Sequence, residues 1–313
     1  MPAIVTLTPN PSIDLLFETT RLVWDDANRV ESPRRRAGGQ GVNVVRAARE
    51  LGGEALAVVP LGGAPGRELR ELLQGEDTAL REVAIAGETR VFCGVRETET
   101  GRSMLINPRG PMLSREEGDR LLAETARTLD DAGASWLACC GSLARGLEGD
   151  FYARAGAIAH ARGVSFVPDG DGDALRLAAI GGCELLVPNE HEAARLLGRP
   201  ALEAGDAVAA AQALLRWTPL ACITLGGAGA VCAARGGAWR AAPPPRPAGS
   251  AVGAGDVFLA GFLLALEGGA EPAEALRRAV AAGTAALVSQ GAQLVSAADA
   301  SALEPEVRLE RAG

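Results

Sequence analysis

The sequence Gly253-Ala-Gly-Asp256-Val-Phe-Leu-Ala-Gly-Phe-Leu-Leu-Ala-Leu266 joins a glycine-rich turn to a run that has no polar side chain after Asp256. Glycine permits the tight turn at the start. The apolar run is predicted to be a buried helix, since a helix that is hydrophobic on every face packs inside a core. The stretch therefore predicts a large core around a helix whose first turn carries one carboxylate.

The start of this helix has the chemistry of an anion site. The first amides of a helix lack intrahelical partners and lie at the positive end of the dipole. The amides of Gly253, Ala254 and Gly255 are therefore predicted to form an anion hole, with Asp256 as a general base for a hydroxyl. Such a pair suits phosphoryl transfer. The alternative is that Asp256 only caps the helix, since Asp is a favoured N-cap residue.

Composition excludes several classes of protein. The chain has 313 residues, a net charge of −8 and a pI near 5.1, which argues against a nucleic-acid partner. No apolar run is long enough for a membrane span and no signal peptide is evident, so no membrane partner and a cytoplasmic location are expected. The sequence contains no lysine, which excludes Schiff-base chemistry and the P-loop lysine. Its six cysteines lack CxxC spacing.

Short apolar runs alternate with helical patterns along the chain. This alternation predicts an α/β fold with a mostly parallel central sheet and helices on both faces. The predicted strands are Ile4–Thr8, Ala55–Leu61, Trp136–Cys140, Val164–Val167, Cys183–Val187 and Ala221–Leu225. The predicted helices include Val42–Leu51, Arg115–Leu129, Phe151–Arg162, Glu190–Leu197 and Ala207–Leu215.

Two segments, about 13–36 and 89–107, interrupt the alternation with extended patterns. In the second, Val91, Cys93 and Val95 alternate before a turn at Thr98–Gly101. We expect a small β-sheet lid inserted into a single domain over residues 1–313. A sheet of few strands is marginal alone, so it should pack on the main domain or on another subunit.

Polar residues follow several predicted strands. Asn189 and Glu192 open a helix, where they either form a capping box or hold Mg²⁺ through water. Asp14 follows a strand, and Gly38, Gly39 and Asn43 surround the start of another helix; these residues suit the hydroxyls of a sugar. As isolated residues they could equally be turn or cap residues.

The ordered set of motifs resembles the PfkB, or ribokinase-like, carbohydrate kinases. Within them it is similar to the subgroup of 1-phosphofructokinase, tagatose-6-phosphate kinase and the minor 6-phosphofructokinase. The resemblance spans residues 4 to 295. It is carried by Thr6-Leu-Thr-Pro-Asn-Pro-Ser-Ile-Asp14, Asn28-Arg29, Gly38-Gly-Gln-Gly-Val-Asn-Val44, Leu61-Gly-Gly63, Thr89-Arg90, Gly141-Ser-Leu143, Asn189-Glu-His-Glu192, Leu225-Gly226 and Gly253-Ala-Gly-Asp256.

The resemblance implies transfer of the γ-phosphoryl group of ATP to a sugar hydroxyl, with Mg²⁺ and Asp256 as the base. The implied sugar-binding residues are Asp14, Gly38, Gly39, Asn43, Arg29, Ser142 and Arg90, the last holding a substrate phosphate. The implied residues for the nucleotide and Mg²⁺ are Asn189, Glu192, Thr224, Gly226, Gly229, Val252 and Gly283. Lids of this family pair between subunits, so the resemblance also implies a homodimer.

Departures from the family pattern bear on the acceptor. Gln40 and Val187 stand where the subgroup has lysines, and Asp171 adds a carboxylate. Arg34-Arg-Arg36 could supply the missing charge. We favour a phosphosugar acceptor, namely fructose 1-phosphate, tagatose 6-phosphate or fructose 6-phosphate, because the arginines remain.

Two alternatives are left open, and a third lacks its motif. The protein could phosphorylate a free sugar or nucleoside, or it could be a non-catalytic sugar sensor with the same fold. A nicotinamide-dependent dehydrogenase needs GxGxxG after the first strand, where Thr8-Pro-Asn-Pro11 stands instead.

Overall fold

A computed structural model describes residues 3–30, 33–203, 205–245, 253–288 and 293–312. The strands are β1 (Ile4–Leu7), β2 (Ser12–Thr19), β3 (Arg34–Gly38), β4 (Ala55–Leu61), β5 (Ala79–Ala84), β6 (Arg90–Glu97), β7 (Ser103–Ile106), β8 (Trp136–Cys140), β9 (Ser165–Asp169), β10 (Leu220–Thr224), β11 (Ala230–Ala234), β12 (Gly237–Ala242) and β13 (Arg308–Arg311). The helices are α1 (Gln40–Glu50), α2 (Gly63–Gly75), α3 (Arg115–Ala132), α4 (Phe151–His160), α5 (Gly172–Gly181), α6 (Glu190–Leu196), α7 (Ala207–Leu214), α8 (Ala254–Glu267), α9 (Pro272–Val288) and α10 (Ala297–Leu303).

The central sheet is parallel, in the order β5-β4-β1-β8-β9. Successive side chains of a strand point to opposite faces, so each strand contributes to two cores. In β1, Ile4 packs with α1, α2, α8 and α9, whereas Val5 packs with α3, α4, α5 and α7. The predicted α/β fold with helices on both faces is confirmed.

The prediction of a strand at Cys183–Val187 is wrong, because no regular strand forms there. This segment forms only one isolated parallel bridge, from Leu186 to Ala221, and a second isolated bridge follows it, from Asn189 to Thr224. The Glu184 amide donates to Phe166 O in β9 (2.9 Å), and the Leu186 amide donates to Leu220 O in β10 (3.0 Å). The segment therefore connects the central sheet to the sheet β10-β11-β12-β13. Pro188 has no amide proton with which to extend a ladder.

The four strands β3-β2-β6-β7 form a separate mixed sheet, which we call the lid sheet. β2 pairs parallel with β6, and the two outer pairs are antiparallel. The turn between β6 and β7 closes with the Gly101 amide donating to Glu97 O (2.9 Å). None of the described helices has the length and apolarity needed to cross a membrane.

Candidate active site

The site lies where the order of the central strands reverses. From β1 the chain goes to β4 and β5 on one side, and β8 lies on the other side. Ligands of open α/β sheets bind beyond the carboxyl ends of the strands at such a switch point. Asn10 follows β1 and connects the two sides of this switch point, because its Nδ2 donates a hydrogen bond to Ser142 Oγ, which follows β8 (3.2 Å).

Asp256 is the third residue of α8 and is 6% exposed. Its Oδ2 accepts a hydrogen bond from Asn43 Nδ2 in α1 (2.8 Å). The N-cap residue is Gly253, at φ 85°, and not Asp256. The capping alternative is therefore wrong, and the carboxylate is directed to α1.

The pKa of Asp256 is raised to about 7. Burial is the main cause, the charge of Asp14 adds to it, and the hydrogen bond from Asn43 opposes both. An acid with a pKa near neutrality is suited to general-base catalysis. The fold therefore places a carboxyl group with a raised pKa in the first turn of α8.

The first turn of α8, next to the Asp256 carboxyl group, has no side-chain cap on its amide groups. Gly253 has no side chain with which to cap them, and Gly255 is exposed with open space where a Cβ would be. Gly283 of α9 packs against this turn, since a Cβ there would lie 3.3 Å from Ala254 O. The turn can thus accept an anionic group with its backbone.

The residues predicted to bind the sugar surround the start of α1. Gly38 lies under the Asp14 carboxylate, and a Cβ at Gly38 would overlap it. Gly39 is the N-cap of α1, with φ 111°. Burial raises the pKa of Asp14, and Ser12 Oγ donates to its Oδ1 (2.7 Å), which opposes the shift. Asp14, Gly38, Gly39 and Asn43 are therefore brought together near Asp256.

Arg90 reaches this region from β6, but its guanidinium is already hydrogen-bonded. Nε and Nη2 donate to Asn10 O (3.2 and 2.9 Å), and Nη1 donates to Pro108 O (3.2 Å) and to Asn107 Oδ1. A substrate phosphate would have to use its remaining N–H or replace Asn107. Arg29 is exposed in the segment after β2, and no described contact joins it to the other candidates.

Only one arginine of Arg34-Arg-Arg36 faces the site. Arg34 pairs with Glu18 (2.8 Å) and Arg35 with Glu68, both at the exposed edge of the lid sheet. Arg36 is directly opposite Asp14 in the sheet, and burial lowers the pKa of its guanidinium. Of the three arginines, Arg36 is therefore the one whose charge interacts with Asp14.

Asn189 and Glu192 form a capping box at α6. Asn189 Oδ1 accepts from the His191 and Glu192 amides (both 3.0 Å), and Glu192 Oε2 accepts from the Asn189 amide (2.9 Å). The capping alternative is thus observed. It uses one carboxylate oxygen of Glu192. Burial raises the pKa of Glu192, and the charge of Asp171 adds to the shift.

Asp169, at the end of β9, is a residue that the sequence reasoning missed as a site residue. Burial raises its pKa well above the usual range, and the charges of Asp256 and Glu192 raise it further. The charge of Asp169 therefore interacts both with Asp256 and with Glu192. The rule that ligands bind at the carboxyl ends of parallel strands would have singled it out.

A cavity of about 310 Å³ lies between α5 and α6, and Glu192 is one of the residues that line it. Asp171 at its rim pairs with Arg195 (2.8 Å). The charge of this additional carboxylate is therefore offset by an arginine. No group of three or more His, Cys, Asp or Glu side chains in the described parts of the chain is arranged as a metal site.

The predicted nucleotide-binding residues lie at the next strand end. Asn189 bridges to Thr224, the last residue of β10. The turn after it is closed by the Leu225 amide donating to Gly229 O (2.8 Å), with Gly226 at φ 53° and Gly229 at φ 91°. Val252 lies outside the described residues.

The fold and the site define an α/β enzyme with a buried carboxyl group at a glycine-rich helix start and a separate four-stranded lid sheet. The model of the pfkB family of carbohydrate kinases matches residues 8–299, and the chain belongs to this family.

Relatives agree with this assignment. The chain is 32% identical over 299 residues to the ATP-dependent 6-phosphofructokinase isozyme 2 of Escherichia coli, covering 95% of this chain and 96% of the relative. A crystal structure of phosphofructokinase-2 from Escherichia coli in complex with fructose-6-phosphate has a TM-score of 0.90 at 30% identity, covering 98% of this chain and 99% of that one. Ribokinase of Arabidopsis thaliana, at 19% identity and a TM-score of 0.74, shares the fold, covering 97% and 98% of the two chains.

Proposed function

We propose that this protein transfers the γ-phosphoryl group of ATP to a hydroxyl of a sugar phosphate, with fructose 6-phosphate as the first candidate acceptor. The observation that carries the proposal is Asp256, buried, with a pKa of about 7 and held by Asn43 at the amide-lined start of α8. The relatives act as ATP-dependent phosphofructokinases, which supports the same donor and acceptor class here.

In the proposed mechanism the protein positions both reactants. Asp14 and Asn43 hold the sugar so that one hydroxyl lies against Asp256, which takes its proton. The amides of Gly253, Ala254 and Gly255 stabilise the charge on the transferring group. Arg90 and Arg36 supply positive charge for the acceptor phosphate, and an arginine fork matches phosphate geometry.

The carboxylates at the nucleotide end fit Mg²⁺. Burial is the main cause of the raised pKa values of Asp169 and Glu192, and the charges of neighbouring acids raise them further. A divalent cation would relieve this repulsion, and Mg²⁺ prefers oxygen ligands and keeps several waters. Glu192, Asn189 and Asp169 would therefore hold it, in part through water. Bound there, Mg²⁺ would offset the charge of the phosphates.

A substrate panel tests the proposal. ADP release would be measured with fructose 6-phosphate, fructose 1-phosphate, tagatose 6-phosphate, fructose and ribose, each with and without Mg²⁺. We expect a kcat/KM for one phosphosugar that exceeds those of the free sugars by about 100-fold or more, as one lost charged contact predicts. Turnover only with a free sugar would contradict the proposal, and saturable binding without ADP would indicate a sensor.

We also propose a homodimer that forms through the lid sheet. The lid sheet and the segment after β2 expose large apolar side chains, namely Val23 (51%), Trp24 (75%), Leu105 (55%) and Ile106 (53%). Exposed apolar side chains of this size indicate an interface, so we expect a second copy of the chain to cover Val23, Trp24 and one of the two β7 residues, since Leu105 and Ile106 point to opposite faces of the sheet. For the location we propose the cytoplasm, which fits the six free cysteines.

A further inference from the structure

Helix α1 contacts two parts of the site from its two ends. Near its start, Asn43 donates to Asp256. At its last residue, the Glu50 carboxylate is hydrogen-bonded to the segment before α10. Residues seven positions apart lie on the same face of a helix, about 10 Å apart along its axis. Asn43 and Glu50 therefore both lie on the face that packs against α8 and its surroundings.

Glu50 holds two consecutive backbone amides. Its Oε2 accepts hydrogen bonds from Leu294 N (2.8 Å) and Val295 N (2.9 Å). Hydrogen bonds to a charged acceptor are stronger than neutral ones. Leu294 and Val295 are themselves buried, at 9% and 1% exposure, so the backbone here is fixed in one place.

The fixed backbone places one side chain beside the turn at the start of α8. Leu294 Cδ2 lies 3.4 Å from the position that a Cβ on Gly253 would take, so the leucine fills the space next to this glycine. Gly253 is the N-cap of α8, at φ 85°. The Glu50 carboxylate is therefore linked, through the backbone and side chain of Leu294, to the surroundings of this turn.

We propose that Glu50 is a positioning residue for phosphoryl transfer. By holding the amides of Leu294 and Val295 it seats Leu294 on Gly253, and so fixes the anion-hole turn relative to Asp256. Helix α1 thereby sets the geometry of both the base and the anion hole. This inference rests on the proposed function, because it assigns Glu50 to the kinase step.

Three variants test this role: Glu50→Ala, Glu50→Gln and the control Arg49→Ala. Arg49 is the adjacent residue of the same helix, but it contacts Glu76 and Asp77 on the other side. We expect Glu50→Ala to lower kcat about tenfold, with KM for the phosphosugar within about twofold of the wild type, because the chemical step loses orientation. Glu50→Gln keeps an oxygen acceptor and should retain most of kcat.

A second readout does not depend on activity. Hydrogen exchange followed by mass spectrometry should be faster in peptides that cover residues 253–258 of Glu50→Ala, and unchanged there in Arg49→Ala. Leu294→Ala should lower kcat to a similar extent, and the double variant should lose little more, since both changes act along one path. If Glu50→Ala does not fold, Leu294→Ala carries the test alone.

The failures of the two proposals are distinguishable. A wild-type protein without activity on any phosphosugar contradicts the proposed function. Equal kcat in Glu50→Ala and Arg49→Ala, full kcat in Leu294→Ala, or unchanged exchange at residues 253–258 overturns the role of Glu50.

Discussion

At the scale of single residues, the ionisation of Asp256 controls the proposed reaction. Its pKa of about 7 results from burial and from the charge of Asp14, against the hydrogen bond from Asn43. Asp14 and Asn43 are also predicted to bind the sugar next to Asp256. Occupation of that site and ionisation of the base are therefore coupled in the proposed mechanism.

The kcat/KM of the wild-type protein should fall as the pH drops through about 7, because only the ionised Asp256 can accept a proton. The measurement is kcat/KM for the phosphosugar from about pH 5.5 to 9 at constant ionic strength, since kcat/KM reports the ionisation of the free enzyme. The titration of the substrate phosphate near pH 6 is determined separately and corrected for. A corrected kcat/KM that stays constant down to pH 5.5 would be incompatible with a raised pKa.

The same carboxylate should also make stability depend on pH. Its pKa is raised in the folded state, from 3.8 to about 7, so the folded protein binds more protons between these values. Stability from this group is then greatest below pH 4 and is lost as the pH rises to 7. The shift corresponds to about 4 kcal/mol.

Asp256→Asn removes this cost, so its free energy of unfolding should exceed that of the wild type at pH 8 by up to about 4 kcal/mol, and by less at pH 5. Urea unfolding at both pH values measures the difference. Asp77→Asn is the control, because Asp77 is 94% exposed and its substitution should change little at either pH. An equal effect of Asp256→Asn at pH 5 and 8 would argue against the raised pKa.

At the scale of elements, close contacts between backbone and side chain set the shape of the site. Gly38 ends β3 beneath Asp14, and Gly39 begins α1 at a positive φ. These two glycines allow the lid sheet and α1 to meet at the carboxylate. A side chain at this junction would displace Asp14.

Gly38→Ala should raise KM for the phosphosugar by about 100-fold, because the new Cβ would overlap the Asp14 carboxylate and move it by an ångström or so. Gly75→Ala, at the last residue of α2, is the matched control, since nothing lies within 4 Å of its Cβ position. Steady-state kinetics of both variants are compared with those of the wild type. A KM in Gly38→Ala equal to that of the control would show that Asp14 does not need this glycine.

Local patterns predicted most of the central sheet but not the elements that depend on distant partners. The predicted Ala55–Leu61 and Trp136–Cys140 agree with β4 and β8 because apolar runs between turns identify buried strands. β13 pairs with β12 across a long stretch of chain, and no local signal reports that pairing. The segment at Cys183–Val187 looked like a strand but makes only one isolated bridge.

The site was predictable where motifs mark it and not where it depends on three-dimensional proximity. The glycine-rich turns, Asp14, Asn43 and Asp256 follow from the sequence. The role of Asp169 depends on its distance from Asp256 and Glu192, and the bonds of Arg90 depend on the fold of residues 107–108. The position of Asp169 just after a predicted strand could have marked it as a candidate, but its proximity to Asp256 and the bonds of Arg90 cannot be derived from spacing along the chain.

At the scale of the whole molecule, the lid sheet and the segment after β2 expose large apolar side chains, which is why we propose that they form the dimer interface. Trp24→Glu should convert the proposed dimer into a monomer, because a charge at the centre of an apolar interface is costly to bury. Light scattering coupled to size-exclusion chromatography measures the mass. Ile180→Glu, an exposed apolar residue on α5, is the control and should leave the mass unchanged. A wild-type monomer at micromolar concentration would contradict the proposal.

The central claim is that Asp256 is the general base of a phosphoryl transfer. Its most direct test is single-turnover phosphorylation by Asp256→Asn, with ATP affinity measured separately by calorimetry and Asp77→Asn as the control. We expect turnover to fall by about 1,000-fold or more, while ATP affinity stays within about threefold of the wild type. Turnover within tenfold of the wild type would contradict the account.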